Sequence, residues 1–84
     1  MSSVEDMSDF LLTFCSCPSQ STAFNIANAL IEANIAACVT IQGGNNTSVY
    51  RWNNQIEHTS EAILLIKTTA NRYPDLEQVI LAHH

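Results

Sequence analysis

Apolar positions along this chain alternate between two periods, and their sequence predicts strand–helix–strand–strand–helix. Phe10-Leu11-Leu12-Thr13-Phe14-Cys15 is short, aromatic and apolar, which predicts a strand buried on both faces. Pro18 ends it. Ser19 comes next, with a hydroxyl able to accept from the unpartnered N–H groups of a first helical turn. From there Ala23, Ile26, Ala27, Leu30 and Ile31 recur at helical spacing on one stripe, while Asn25, Asn28 and Glu32 fall off it.

After Asn34, the β-branched run from Ile35 to Ile41 predicts a second strand. Gly43-Gly44-Asn45-Asn46 permits positive φ and predicts a bulge or turn. Extended alternation resumes at Ser48-Val49-Tyr50-Arg51-Trp52, with Val49 and Arg51 on one face and Ser48, Tyr50 and Trp52 on the other. Asn53-Asn54 tolerates left-handed backbone and suits a hairpin turn. Ile56, then Glu61 to Thr68, form the returning strand. A second helix comes after it, with Asn71 as its candidate cap, Pro74 and Asp75 in its first turn, and a stripe of Tyr73, Leu76, Val79 and Ile80.

This order is α+β. One more strand would complete a ferredoxin-like βαββα(β) sandwich with a long hairpin. The sequence stops at His84 before that strand, so the first strand is expected to keep an open edge. The chain therefore reads as truncated, or as awaiting a partner. Residues 1–9, polar and acidic, read as a flexible tail, and residues 10–84 as the domain.

Size changes the picture. A chain of 84 residues buries only about 60–65% of its unfolded surface and gains from sharing apolar faces in an assembly. Its 46% apolar and 13% charged content fits that need. No apolar run nears the roughly 20 residues that span a bilayer, so no membrane segment is expected. Net charge is −5, and Arg51, Lys67 and Arg72 supply all the basic side chains. That leaves too few cations to neutralise a phosphate backbone, so nucleic acid is not an expected partner. The N-terminus lacks a secretory pattern, and three cysteines do not close a disulfide framework. A reducing cytoplasm fits best.

Few residues offer chemistry. Cys15 and Cys17 face one way on a regular strand, with β-carbons about 7 Å apart, too far to share one metal without a bend. Cys38 reads as core packing. His83 and His84, at the end of the second helix, are candidate metal ligands or simply cations near the negative helix terminus. His58, near the hairpin turn, reads as exposed. Glu61 interrupts an apolar strand, either as an exposed strand end or as a carboxylate meeting Cys15 and His83. A thiolate, an imidazole and a carboxylate would suit Cu²⁺ or Zn²⁺. No catalytic motif is present in the sequence, and no enzyme is expected.

Several segments together resemble the CutA divalent-cation-tolerance family. They are Ile35-Ala36-Ala37-Cys38-Val39, Ser48-Val49-Tyr50-Arg51-Trp52, Glu61 through Lys67-Thr68-Thr69, the opening strand with Cys15 and Pro18, the helix from Ala23, and His83-His84. The resemblance implies a ferredoxin-like subunit in a tight homotrimer, its hairpins extending neighbouring sheets. It implies binding of divalent cations, copper above all, with Cys15, Glu61 and His83 as ligands and a role in metal tolerance. Three features depart from the family pattern. The loop at Gln42–Asn46 is about one residue longer and lacks a proline. Asn54 stands where a turn glycine is frequent. The Pro-Tyr, further strand and C-terminal helix that continue such chains beyond the histidines are absent.

A second function fits the same architecture: a trimeric signalling or scaffolding module like the nitrogen-regulatory PII proteins. It would bind an effector or partner protein in clefts lined by Tyr50, Arg51 and Trp52. An acylphosphatase-like enzyme would need an arginine-bearing anion loop near the first strand, and none is there.

Overall fold

The computed structural model describes residues 9–83, apart from the side chains of residues 44 and 45. The tail expected over residues 1–9 therefore lies almost wholly outside the described residues, as does His84. The elements are β1 (Phe10–Cys17), α1 (Gln20–Glu32), β2 (Ala36–Trp52), β3 (Gln55–Thr69) and α2 (Tyr73–His83), with a short 3-10 turn over Ala70–Arg72. The three strands form one antiparallel sheet in the order β1-β3-β2. Both helices pack on one of its faces.

Local chemistry accounts for the helix ends. Ser19 takes extended backbone and its Oγ accepts from the Thr22 amide at 3.1 Å, capping α1 where its sequence position predicts. At the other end Asn34 adopts φ 57. The Ile35 amide donates to Leu30 at 2.9 Å and the Asn34 amide to Ile31 at 3.1 Å, a Schellman ending that turns the chain into β2. Asn71 is not the cap of α2. Thr69 leads into the 3-10 turn instead, and that turn runs directly into Tyr73, so no extended residue is left at 71 to act as a cap.

Side chains alternate along β3, and this sorts the molecule. Ala62, Leu64, Ile66 and Thr68 are buried against the helices. Glu61, Ile63, Leu65 and Lys67 point to the opposite face, which no described element covers. Across the ladder Cys15 sits opposite Leu64 and Cys17 opposite Ala62, on the helix side, while Phe10, Leu12, Phe14 and Ser16 share the bare side. The core is built from Ala23, Ile26, Ala27 and Leu30 of α1, Leu76 of α2, and the inward side chains of the sheet. Thr68, buried among them, donates its hydroxyl to the Ile35 carbonyl at 2.6 Å.

Three expectations about burial are overturned. β1 is not buried on both faces: Phe10, Leu11, Leu12 and Phe14 are exposed, Phe14 by 67%. Among the described residues β1 pairs only with β3, so its outer edge is open and its outward face has nothing packed on it. Cys38 is exposed rather than core. A bulge between Ala36 and Cys38 adds one residue to β2, so Cys38 lies opposite Lys67 on the bare face while Val39 turns inward. Ile31 also leaves the α1 stripe and is exposed.

Beyond the core, β2 and β3 continue as a hairpin arm that stretches the molecule to 46 Å in its long dimension, against 24 and 21 Å in the others. Asn53 and Asn54, at φ 50 and 63, form its two-residue turn. Val49, Tyr50, Trp52 and Ile56 are exposed along the arm. Among the described residues no helix is long and apolar enough to cross a membrane.

Candidate functional site

Glu61 sits where β2 breaks register, between Gln42 and Asn46. The Asn46 amide group pins this bulge, donating to the carbonyls of Gln42 at 2.8 Å, Gly43 at 3.4 Å and Glu61 at 3.2 Å. On the bare face the Glu61 carboxylate accepts hydrogen bonds from the hydroxyls of Ser48, Ser16 and Thr59, in that order of effect, and they hold it below the usual glutamate range. No sequence signal groups these hydroxyls, because they come from three strand segments.

A depressed folded pKa makes the ionised form the stabilising one. That contribution is present above the unfolded pKa, about 4.3, and is lost as pH falls through the folded value. Urea midpoints measured from pH 6 downward should therefore fall more steeply for the natural protein than for Glu61→Gln. Parallel profiles would contradict the hydroxyl cradle.

Cys15 lies on the other side of the sheet. It is half-buried and lines a cavity of about 270 Å³ walled by Tyr73, Leu76, Glu77, Ile80 and Leu81 of α2. Cys17, two residues on, is 1% exposed. Burial chiefly, then the adjacent Cys15 thiol and the Glu61 charge, push its thiol up to about 11. Both side chains leave β1 toward the helices, opposite Leu64 and Ala62.

His83 is exposed in the last turn of α2, two residues beyond Leu81. Its Nδ1 lies 2.9 Å from the Val79 carbonyl. A carbonyl only accepts, so Nδ1 carries the proton, and in the neutral ring the lone pair belongs to Nε2. That is the tautomer in which metal-binding imidazoles are commonly held.

Among the described residues of one chain, no three His, Cys, Asp or Glu side chains gather as a metal cluster. Cys15 and His83 belong to the helix side, the one in β1 and the other on the helix that walls its cavity. Glu61 projects from the opposite face of the sheet, although its charge is still felt at Cys17. The larger cavity, about 730 Å³, lies at the other end of β1 around Leu11, Ile35 and Arg72, and none of these three candidate ligands lines it. Donor chemistry rather than a preformed cage is what fits a cation here.

The model of the CutA1 divalent ion tolerance protein family matches residues 11–84. The chain belongs to the CutA1 family. Its sequence is 43% identical over 67 residues to the divalent-cation tolerance protein CutA of Thermus thermophilus, covering 80% of this chain and 64% of that protein. It is 37% identical over 71 residues to human protein CutA, covering 84% of this chain and 39% of that protein. The chain thus spans less than two thirds of the length of these CutA relatives. Among solved structures, CutA1 of Shewanella sp. SIB1 superposes with a TM-score of 0.84 at 41% identity, covering 90% of this chain and 70% of that one. The Thermus thermophilus CutA1 structure gives 0.83 at 37% identity, covering 89% and 72%. The α+β fold with its antiparallel sheet is therefore the CutA1 fold, and the family is one of divalent-ion tolerance.

Proposed function

We propose that this chain is a non-enzymatic metal-binding protein of divalent-cation tolerance, working as a homotrimer in the cytoplasm with Cu²⁺ as its main cargo. Cys15 and His83 supply ligands from the helix side of one subunit, and Glu61 supplies a carboxylate from a neighbour. Residues 10–84 act as one domain in this reading.

The observation that carries the ligand assignment is His83 itself. Its Nδ1 is committed to Val79, which leaves the Nε2 lone pair for a cation at the end of the helix that flanks Cys15. Imidazole and thiolate together favour copper or zinc over magnesium or calcium. Family membership supports the ion class. Net charge of −5 favours cation uptake at a distance. Three thiols favour a reducing compartment, although the CutA of Archaeoglobus fulgidus is described as periplasmic.

Assembly is supported by the surface. Leu12 and Phe14 stand 56% and 67% exposed on the bare sheet face, and Val49, Trp52 and Ile56 are exposed along an arm that has no core of its own. Apolar area of this kind marks an interaction surface. Closed rings of identical subunits bury such faces without leaving any unpaired.

Equilibrium dialysis against Cu²⁺ tests the site. Uptake should drop in Cys15→Ala and His83→Ala, and fall further in the double variant. Uptake unchanged in the double variant would refute the assignment.

A further inference from the structure

We propose that the cavity of about 730 Å³ at the start of β1 binds a small amphipathic carboxylate, an apolar body ended by one negative charge. It lies where β1 begins, β3 ends and the chain leaves α1 for β2, in the region where Phe10 pairs with Thr69 and Ala36 with Thr68. Its volume falls within the roughly 300–1,000 Å³ of small-molecule sites, which are mostly apolar with a few placed polar groups. Phe10, Leu11, Leu12 and Ile35 supply apolar wall here.

Charge selects the ligand. The chain carries only three basic side chains against eight acidic ones, yet Lys67 and Arg72 both line this cavity and no Asp or Glu does. Ammonium and guanidinium groups are the strong hydrogen-bonding partners of a carboxylate. Arg72 meets Asp75 at 3.7 Å, but both side chains are at least half-exposed, so that pair holds the guanidinium only weakly. Among the described residues no carboxylate pairs with Lys67. Thr68 does not compete for the anion, because its hydroxyl is given to the Ile35 carbonyl.

Assembly adds a second reason for an anion here. Lys67 stands opposite Cys38 on the bare sheet face. In the homotrimer proposed above, neighbours covering that face would take its ammonium out of water, and a buried charge needs a partner of opposite sign. A bound carboxylate provides one. None of Cys15, Glu61 and His83 lines the cavity, so the site is separate from the metal ligands proposed above.

Isothermal titration of the full chain with sodium octanoate tests the site. One octanoate should bind per chain, more than about tenfold tighter than 1-octanol, which has the same tail without the charge. Acetate, the charge without the tail, should give no saturable binding over the same range. Replacing Lys67 and Arg72 together by glutamine should weaken octanoate by more than about tenfold and leave octanol unchanged. Both side chains are exposed, so the variant should keep its fold, and the octanol comparison needs only the natural protein. No saturable octanoate binding, octanol binding as tightly, or an unweakened double variant overturns the proposal. Sedimentation mass measured in parallel reports assembly separately, so a chain that does not trimerise is not mistaken for one that lacks the site.

Discussion

In the proposed homotrimer, replacing Leu12 and Phe14 together by aspartate should reduce the particle in solution from three times the 9.3 kDa chain mass to one. Both side chains project from the uncovered face of β1 and are more than half exposed in the isolated subunit. Exposed positions tolerate substitution within about 0.5 kcal/mol of the subunit's own stability. Between subunits the same change buries charge without a partner, which costs several kcal/mol for each group. Sedimentation equilibrium separates the two effects. A particle that keeps its mass would show that subunits associate through some other surface.

Leu64→Ala should destabilise the subunit by about 2–5 kcal/mol. Leu64 is fully buried at the centre of β3, with Ile26, Leu30 and Leu76 in the same core. Truncation loses its transfer free energy and leaves a cavity that a three-stranded sheet pinned by two ladders cannot close. Small domains are stable by only about 5–15 kcal/mol, so this change takes a large share. The urea midpoint of a subunit held monomeric by the Leu12 and Phe14 replacements is the appropriate measurement. A loss below about 1 kcal/mol would contradict the central placement of Leu64.

Elements governed by local chemistry are legible in the sequence. The Ser19 cap, the Ala23–Leu30 stripe, the Asn53-Asn54 turn and the bulge after Gln42 each rest on a few neighbouring residues, and each stands in the structure. Properties that depend on strand partners are not legible. An apolar run such as Phe10–Phe14 implies burial, yet whether it is buried within the chain or between chains depends on the elements beside β1. Cys38 eludes a reading by alternation because one extra residue in β2 reverses the face of the residues after it. Nothing in Ile35–Val39 announces that bulge.

The candidate site divides the same way. The residue types of Cys15, Glu61 and His83 mark them as candidate ligands, but their sides of the sheet are set by register. Cys15 opposite Leu64 faces the helices, whereas Glu61, an odd number of residues from Leu64, must face away.

The most direct test of the proposed metal site is the near-ultraviolet spectrum of the protein loaded with Co²⁺, an ion that binds where copper or zinc binds without oxidising adjacent thiols. A thiolate-to-cobalt charge-transfer band should arise in the natural protein and vanish in Cys15→Ser. No band in the natural protein, or an undiminished band in Cys15→Ser, would contradict the account.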